Sequence, residues 1–447
     1  MPEPAAPVVA TYPAGPIATP FSAPPDLTVA RHNAKFLIAF LLAYFGFWVT
    51  YLTPPIVSLS LRLSSVLPAG DRAGALSLVL GVGGIVSVLT NPIVGALSDR
   101  TTSRFGMRMP WIVGGTVVTV VGLTASALSP SLPGIFAGYL VATLGVNAVV
   151  AALIALVPDQ VPPSLRGRVS GLAGMCTPVG AVVGAMLVPG LSQIGPLAMF
   201  LTPAAFLVIG VVLLVIMVDD RRLSTEAAAR LPKLGLTGLA KSYWMSPRKH
   251  PDFAWTWLSR FLLFMGSASL VTFQVLYLIN QLSYSITDVA GIVAISTLVH
   301  YFFTFAISPF AGWLSDRLGR RKIFVGAGAV IYALGLIAVA LAHSLPLFLV
   351  GMAVTGLGEG IYVAVDLALV ADVLPDKDDA ARSMGLFTVA NTLPPALAPA
   401  IAPVFLAIPA FGSFVTGADG NFVALFLASA IFALLGALAI RPVKATR

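Results

Sequence analysis

Four ionisable side chains stand inside runs of sequence that are otherwise apolar: Arg260, His300, Glu359 and Asp366. A charge at mid-bilayer costs on the order of several kcal/mol, so an acid or base that persists there is a candidate for function. Glu359 lies in Gly356-Leu357-Gly358-Glu359-Gly360, and Asp366 follows seven residues later. On a helix that spacing sets the two acids on nearly the same face, about 10 Å apart along the axis. Acids and histidines in such settings load and release protons near neutrality. Each also has a plainer reading. Glu359 could be a structural acid satisfied by a neighbouring hydroxyl or base, His300 a hydrogen-bonded packing residue, and Asp366 a member of a structural ion pair. Arg260 could snorkel to the interface. A second set suits a hydroxylated ligand: Tyr44, Trp48, Tyr51, Thr143, Asn147, Gln274, Tyr277, Asn280 and Asn391. Aromatic faces match sugar rings and amides match hydroxyls, although interface anchoring explains some of the aromatics equally well.

These residues need a scaffold, and composition says which kind. The chain of 447 residues is 58% hydrophobic and 10% charged, with a mean hydropathy of +0.95. A water-soluble domain of that make-up would expose too much apolar surface. Apolar runs recur over 36–60, 72–97, 110–129, 132–157, 168–190, 195–218, 254–281, 286–311, 323–343, 346–374, 383–408 and 421–441. Each is long enough to cross roughly 30 Å of hydrocarbon as a helix. The expected fold is therefore an all-α membrane protein of twelve transmembrane helices, with no alternation that would suit a β-barrel. A charged and polar linker, 219–253, divides the spans into six-helix bundles over 36–218 and 254–441, with short tails at 1–35 and 442–447. The Pro/Ala-rich start lacks periodicity and reads as a disordered tail.

Basic residues crowd alternate loops. Arg100, Arg104 and Arg108 share one; Arg166 and Arg168 another; Arg317, Arg320, Arg321 and Lys322 a third; and Lys377 and Arg382 a fourth. The opposite loops hold only Arg62 and Arg72. The positive-inside rule then places both termini and the linker in the cytoplasm, and it accounts for the net charge of +8 without a nucleic-acid partner. The single cysteine, Cys176, permits neither an intrachain disulfide nor a cysteine metal cluster. The sequence shows no HExxH, P-loop or Ser/His dyad motif, so neither an enzyme nor a cofactor is expected.

The chain also repeats itself. GALSDR (95–100) and AGWLSDR (311–317) each follow an even-numbered span, and VPDQVP (157–162) is matched by VADVLP (370–375). Two ordered matches at a similar offset imply duplicated, pseudo-symmetric six-helix bundles, a common layout among secondary transporters.

Gly95-x-x-x-Asp99-Arg100-x-x-x-Arg104-x-Gly106-x-Arg108 resembles the signature loop of the major facilitator superfamily, and Gly312-x-x-x-Asp316-Arg317-x-Gly319-Arg320 repeats it. The resemblance covers roughly residues 36–441. It implies the major facilitator fold, alternating access, a small-molecule substrate and a gate on the cytoplasmic side. In that gate Asp99 would meet the start of span 11 near Arg382, and Asp316 the start of span 5 near Arg168. Asp159 and Asp372 would complete two charge clusters. The loop SDRTTSRFGMRMPWI (98–112) is similar to that of sucrose and related disaccharide proton symporters, with Met107 and Met109 where those carry bases. Those families often place an acid in span 4, where this sequence offers Thr143 and Asn147. The expectation is a sugar:proton symporter acting as a monomer in the cytoplasmic membrane. The alternative is a proton-driven efflux antiporter for a lipophilic drug or metabolite. Thr177 before Pro178 and Ala181-Val182 after it depart from the efflux pattern.

Overall fold

A computed structural model of the protein describes residues 34–229, 248–373, 380–409 and 420–443. The first helix, α1, runs Ala34–Thr53, passes through a π-helical stretch at Pro54–Ser58 and continues as Leu59–Val66. Pro54 and Pro55 supply no N–H, which loosens the ladder there. The first bundle continues with α2 (Arg72–Ser98), α3 (Met109–Leu128), α4 (Leu132–Gln160), α5 (Pro163–Ile194) and α6 (Pro196–Met217). A five-residue helix, Thr225–Ala229, follows in the linker. The second bundle comprises α7 (Pro251–Asn280), α8 (Ile286–Leu318), α9 (Arg321–Ala340) and α10 (Leu345–Val373). It ends with α11, in two pieces Ala380–Thr392 and Pro394–Leu406, and α12 (Phe422–Ala439). Among the described residues, eleven helices are long and apolar enough to cross a membrane, and α11, bent by 41°, makes the twelfth.

Two details differ from the sequence reading. The expected span 11 is broken at Leu393, where Pro394 and Pro395 interrupt the backbone ladder. The second signature is not a loop: Gly312, Asp316 and Arg317 lie on the last turns of α8, which ends at Gly319 in the left-handed conformation (φ +61°).

The duplication is built into the packing. In the first bundle Gly115 and Gly122 of α3 meet Gly138, Ala142 and Gly145 of α4 backbone to backbone; in the second, Gly328 and Gly335 of α9 meet Thr355 and Gly358 of α10, with Gly351 against Val339. Gly115, Gly122, Gly138 and Gly145 each stand 213 positions before Gly328, Gly335, Gly351 and Gly358. In hydrocarbon, lipid tails are as apolar as leucine, so close approach at small residues contributes much of helix association.

Among the described residues, the two bundles share a core at one end only. One face of the protein, the tail face, carries the start of α1, the α2–α3 loop and the linker; the other is the far face. Towards the far face a single core runs through both bundles, with Ile56, Leu76, Val79 and Ala181 packed in the same cluster as Leu270, Phe273, Val289 and Ala402. There Gly84 of α2 sits so close to α11 that a Cβ would come 2.3 Å from Ala396 Cα. Towards the tail face the cores are separate. Phe40, Phe47, Ile112, Leu153, Val169 and Leu207 form one within the first bundle, and Phe253, Val370 and Phe387 form a small one in the second. A Cβ on Gly95, Gly171, Gly174 or Gly312 would meet nothing within 4 Å. The bundles therefore meet at the far face and part at the tail face.

Candidate functional site

The glycines around Glu359 explain its position. A Cβ on Gly356 would lie 2.2 Å from the His300 carbonyl of α8, one on Gly360 2.5 Å from the Thr304 carbonyl, and one on Gly358 2.3 Å from the Tyr332 amide of α9. The Gly356-x-Gly358-Glu359-Gly360 pattern thus lets α10 sit against two helices at once. Thr304 donates to the Gly356 carbonyl (3.1 Å) and Ser308 to the Gly360 carbonyl (3.0 Å), pinning the register. Glu359 is thereby delivered to His300, with Oε2 3.3 Å from Nε2.

The hydrogen bonds fix the imidazole's tautomer. Thr355 donates its one hydroxyl proton to the Met352 carbonyl (2.8 Å) and lies 3.0 Å from His300 Nδ1. With its proton on that carbonyl, Thr355 accepts from Nδ1–H. That leaves Nε2 towards Glu359, whose Oε2 makes no regular hydrogen bond, and the pair is neutral overall when one proton is shared out between the imidazole Nε2 and the carboxylate. Removing that proton leaves a bare carboxylate against a lone pair, and adding another leaves a net cation; both are costly away from water.

The second ionic pair lies two turns along α10. Asp366, fully buried, pairs with Arg260 of α7, whose Nε donates to Asn391 Oδ1 of α11. The guanidinium lies over the Phe387 ring at 4.5 Å and the Phe264 ring at 5.3 Å. The structure brings Arg260, Asp366 and Asn391 together as one three-helix knot, and Arg260 does not snorkel.

The first bundle holds a neutral counterpart. Asn147 of α4 donates to Ser87 Oγ (2.9 Å) and to the Thr143 carbonyl (2.8 Å), while its oxygen accepts from Asn91 Nδ2 (2.9 Å). The Tyr51 hydroxyl is beside Ser87. Ser87 and Asn91 were not singled out in the sequence; the polar Ser87-x-x-x-Asn91 step inside span 2 is the signal that marks them. Tyr44, Trp48 and Tyr51 belong to a ladder on α1 that also includes Phe36, Phe40 and Phe47. Trp48 Nε1 is buried with no hydrogen-bond partner.

Three expected ligand contacts are otherwise engaged. Tyr277 is fully buried and its hydroxyl is held by the carbonyls of Val339 (2.6 Å) and Ala342 (3.0 Å), tying α7 to the end of α9. Asn280 donates to the Leu276 carbonyl at the last turn of α7 (2.9 Å), and the Thr143 hydroxyl to the Tyr139 carbonyl (2.8 Å). Gln274 is buried with Oε1 unpartnered.

The ion pairs described for the gate residues lie within single bundles. Arg108 binds Asp99 (2.5 Å), Asp159 (3.0 Å) and Ser98 Oγ (2.6 Å), all in the first bundle. Burial alone would weaken its hold on the proton; Asp159 and then Asp99 more than reverse that, and its pKa is raised. Asp316 pairs with Arg321 (3.2 Å), and Arg168 is exposed, so the expected Asp316–Arg168 meeting is not made in this state. The physical reason is the parting of the bundles at this face. Arg104 lies over Phe105 and Arg317 over Trp313, and Arg166 caps the end of α4 through the Pro158 and Val161 carbonyls. Arg320 stands at the N-cap of α9, Arg100 just past α2. The side chains of Asp372 and Arg382 lie outside the described residues.

A further acid, Asp220, was not anticipated. Its Oδ2 accepts from the backbone N–H of Arg108 (2.5 Å) and of Met109 (2.9 Å), capping α3 from the end of α6. Gly106, at φ +106°, makes room: a Cβ there would strike the carboxylate at 2.2 Å. Burial pushes the Asp220 carboxyl above its ordinary range, against the pull of those N–H groups. No local pattern marks it, because its partner lies 112 residues away.

Comparison with known proteins places this arrangement. The profile described as Major Facilitator Superfamily matches residues 36–306 and 294–447. Among curated proteins, an uncharacterized symporter, sll1374, of Synechocystis is 44% identical over 62 residues, 14% of this chain and 11% of that one. The uncharacterized MFS-type transporter YfiU of Bacillus subtilis is 33% identical over 127 residues (28% and 22%). The multidrug resistance protein MdtL of Klebsiella pneumoniae is 35% identical over 92 (21% and 23%). The matched stretches thus span a quarter or less of these relatives' length. Two solved structures share the fold at low identity. A bacterial homolog of the human lysosomal transporter Spinster has a TM-score of 0.70 at 14% identity, covering 92% of this chain and 96% of that one. The nucleoside transporter NupG has a TM-score of 0.66 at 14% identity, covering 92% and 98%.

Proposed function

This chain belongs to the Major Facilitator Superfamily, and we propose that it is a proton-coupled secondary transporter working by alternating access. The observation that carries the proton reading is the His300–Glu359 contact of 3.3 Å, with Nδ1 committed to Thr355. It is a buried pair whose charge changes with a single proton, on helices whose register glycines and hydroxyls fix. The cargo we propose is a hydroxylated solute, a sugar or disaccharide, moved by symport. Asn91, Asn147 and Asn391 offer amides near mid-depth, and the α1 ladder offers aromatic faces. The basic loops put the tail face in the cytoplasm, with the chain as a monomer in the cytoplasmic membrane. On that orientation the bundles part on the inside, and the state described faces inward.

Efflux of a lipophilic compound is the second reading. It is favoured by the multidrug resistance proteins among the relatives and by the apolar α1 ladder.

The test uses liposomes loaded with a pH dye and a panel of sugars added outside. Sugar-dependent acidification of the lumen, lost in Glu359→Gln, is the expected result. Silence towards every sugar together with extrusion of lipophilic cations would favour the efflux reading. Flux independent of the proton gradient, unchanged in Glu359→Gln, would remove proton coupling altogether.

A further inference from the structure

Beside His300 the second bundle encloses a pocket with an empty volume of about 380 Å³, open space at its mouth included. Ser267 and Gln274 of α7, Thr297 and His300 of α8, and Tyr332 of α9 line it, and the single lining residue from the first bundle is Ile56. Helix direction gives its orientation. Gln274 lies two turns beyond Ser267 on the helix that runs towards the far face, and Thr297 precedes His300 on the helix that runs away from it. The pocket therefore extends from the imidazole towards the far face, opposite to the side where the bundles part.

Its walls carry polar atoms that protein groups leave unsatisfied. Gln274 is 2% exposed, and its Oε1 has no hydrogen-bond partner. Tyr332 is fully buried; its hydroxyl lies beside Ser267 and makes no regular hydrogen bond. Buried polar groups of this kind are ordinarily met by water, and the pocket has room for about two molecules. The titratable groups around the His300–Glu359 pair are Tyr301 on α8 and Tyr332 on α9. Ser267 and Gln274, which line the pocket from α7, do not titrate.

The cover is a residue of the other bundle. Ile56 is 3% exposed and lies in the π-helical stretch Pro54–Ser58, where the α1 ladder is loosened. π-helical stretches inside α-helices are frequent at functional sites. Rocking the bundles apart at the far face would withdraw Ile56 and leave the pocket open to that side.

We propose that this pocket is a water-filled antechamber through which protons reach His300 and Glu359 from the far face, and that Ile56 is its gate. The proposal rests on the proton reading of that pair. It gives the proton a door on the far face, where Ile56 covers the second bundle's pocket, separate from the opening between bundles at the tail face. A proton passed by pocket water binds the pair, and the donating water regains one from the water behind it.

The experiment begins with thiol access, which needs no substrate. In a Cys176→Ser background the chain has no other cysteine. Gln274→Cys is exposed to a small charged methanethiosulfonate from the far face of right-side-out vesicles, with Asp71→Cys in the exposed α1–α2 turn as the reference for that face. Modification from the far face is expected, accelerated roughly tenfold or more by Ile56→Ala, as the loss of a buried isoleucine's packing implies. Thr297→Cys serves as a second probe should the glutamine position tolerate no cysteine. Modification from the tail face alone, or a rate indifferent to Ile56→Ala at both positions, overturns the antechamber. The proton arm uses substrate-free liposomes under a potassium diffusion potential. Ile56→Ala is expected to raise proton leak, and adding Glu359→Gln to abolish the rise. A pocket opened to the reagent without any rise in leak overturns its proton role. Loss of the proton reading itself shows differently: Glu359→Gln alone would then leave solute-driven acidification intact.

Discussion

The two bundles share a scaffold and differ in what they hang on it. At the 213-residue offset that aligns their glycines, Glu359 stands where the first bundle has Val146, and Asp366 where it has Leu153. Both aliphatic residues are buried in the first bundle's cores. The matched glycines, Gly145 with Gly358 and Gly138 with Gly351 on α4 and α10, do the same work in both halves, bringing α3 to α4 and α9 to α10 at backbone distance. Charge thus stands in one copy of a duplicated frame and not in the other, beside glycines that pack alike in both. The first bundle kept neutral amides, Asn91 and Asn147, at similar depth. On the proposed function, this asymmetry would let one half answer to protons while the other meets the solute by hydrogen bonds alone.

The sharpest way to break the comparison is to make the second bundle resemble the first at Asp366. Asp366→Leu alone leaves Arg260 buried without its counter-charge, a cost of about 3–5 kcal/mol. Thermal unfolding in detergent should fall steeply and expression with it. Arg260→Met with Asp366→Leu should recover most of the loss. Failure of the double variant to recover would mean that Asn391 and the Phe387 and Phe264 rings depend on the guanidinium for their packing.

A smaller effect separates frame from chemistry. Gly145→Ala and Gly358→Ala each force a Cβ to within 2.5 Å of the facing backbone, and overpacking of that kind costs about 1–3 kcal/mol. The two should destabilise alike. Gly356→Ala drives a Cβ into the His300 carbonyl instead. At similar stability it should depress proton movement far more than Gly145→Ala. Equal transport in the two alanine variants would show that the His300–Glu359 distance tolerates a shift of α8.

How much of this was legible in the sequence differs by level. The twelve spans and the duplicated halves could be read directly, because spanning a membrane leaves long apolar runs and duplication leaves matched words such as GALSDR and AGWLSDR. Glu359, His300, Asp366 and Arg260 were legible as residues, since charge among apolar neighbours is conspicuous, but their pairing was not. Seven-residue spacing placed both acids on one face of α10 and said nothing about which helix each would meet. Tyr277 misleads for the opposite reason. A tyrosine near a span's end looks available to a ligand, yet two carbonyls from the end of α9 hold its hydroxyl. Of the gate partners expected from the family resemblance, Asp316 is with Arg321 and not with Arg168, because the bundles part at that face, and sequence patterns carry no record of how two bundles are set against each other.

The neutral half can be tested at its centre. Asn147→Leu removes three hydrogen bonds and leaves Asn91 and Ser87 facing apolar surface, a loss of about 1–3 kcal/mol shared between stability and solute binding. Transport assays should show a raised KM with the number of protons moved per solute unchanged. A changed proton count would erase the division between the halves.

The smallest expected effect lies outside the membrane, where Asp220 joins the end of α6 to the start of α3. Burial raises its carboxyl above the ordinary range, and Asp159 adds to the rise, while the amides of Met109 and Arg108 pull it back. A carboxyl raised on folding binds more protons in the folded state than in the unfolded state between its two values. Stability therefore falls as pH rises through that window and is level above it. Asp220→Asn cannot ionise and still offers an oxygen to the two amides, so the slope from this site should vanish while the cap persists. Asp220→Ala loses the cap as well, at a cost of about 0.5–2 kcal/mol. Unfolding temperatures measured in detergent from about pH 4, the ordinary carboxylate value, up to neutral pH distinguish the three. A wild-type slope that survives in Asp220→Asn would assign the pH dependence to another group. Identical melting of Asp220→Ala and wild type would mean that α3 needs no cap while Arg108 holds Asp99 and Asp159.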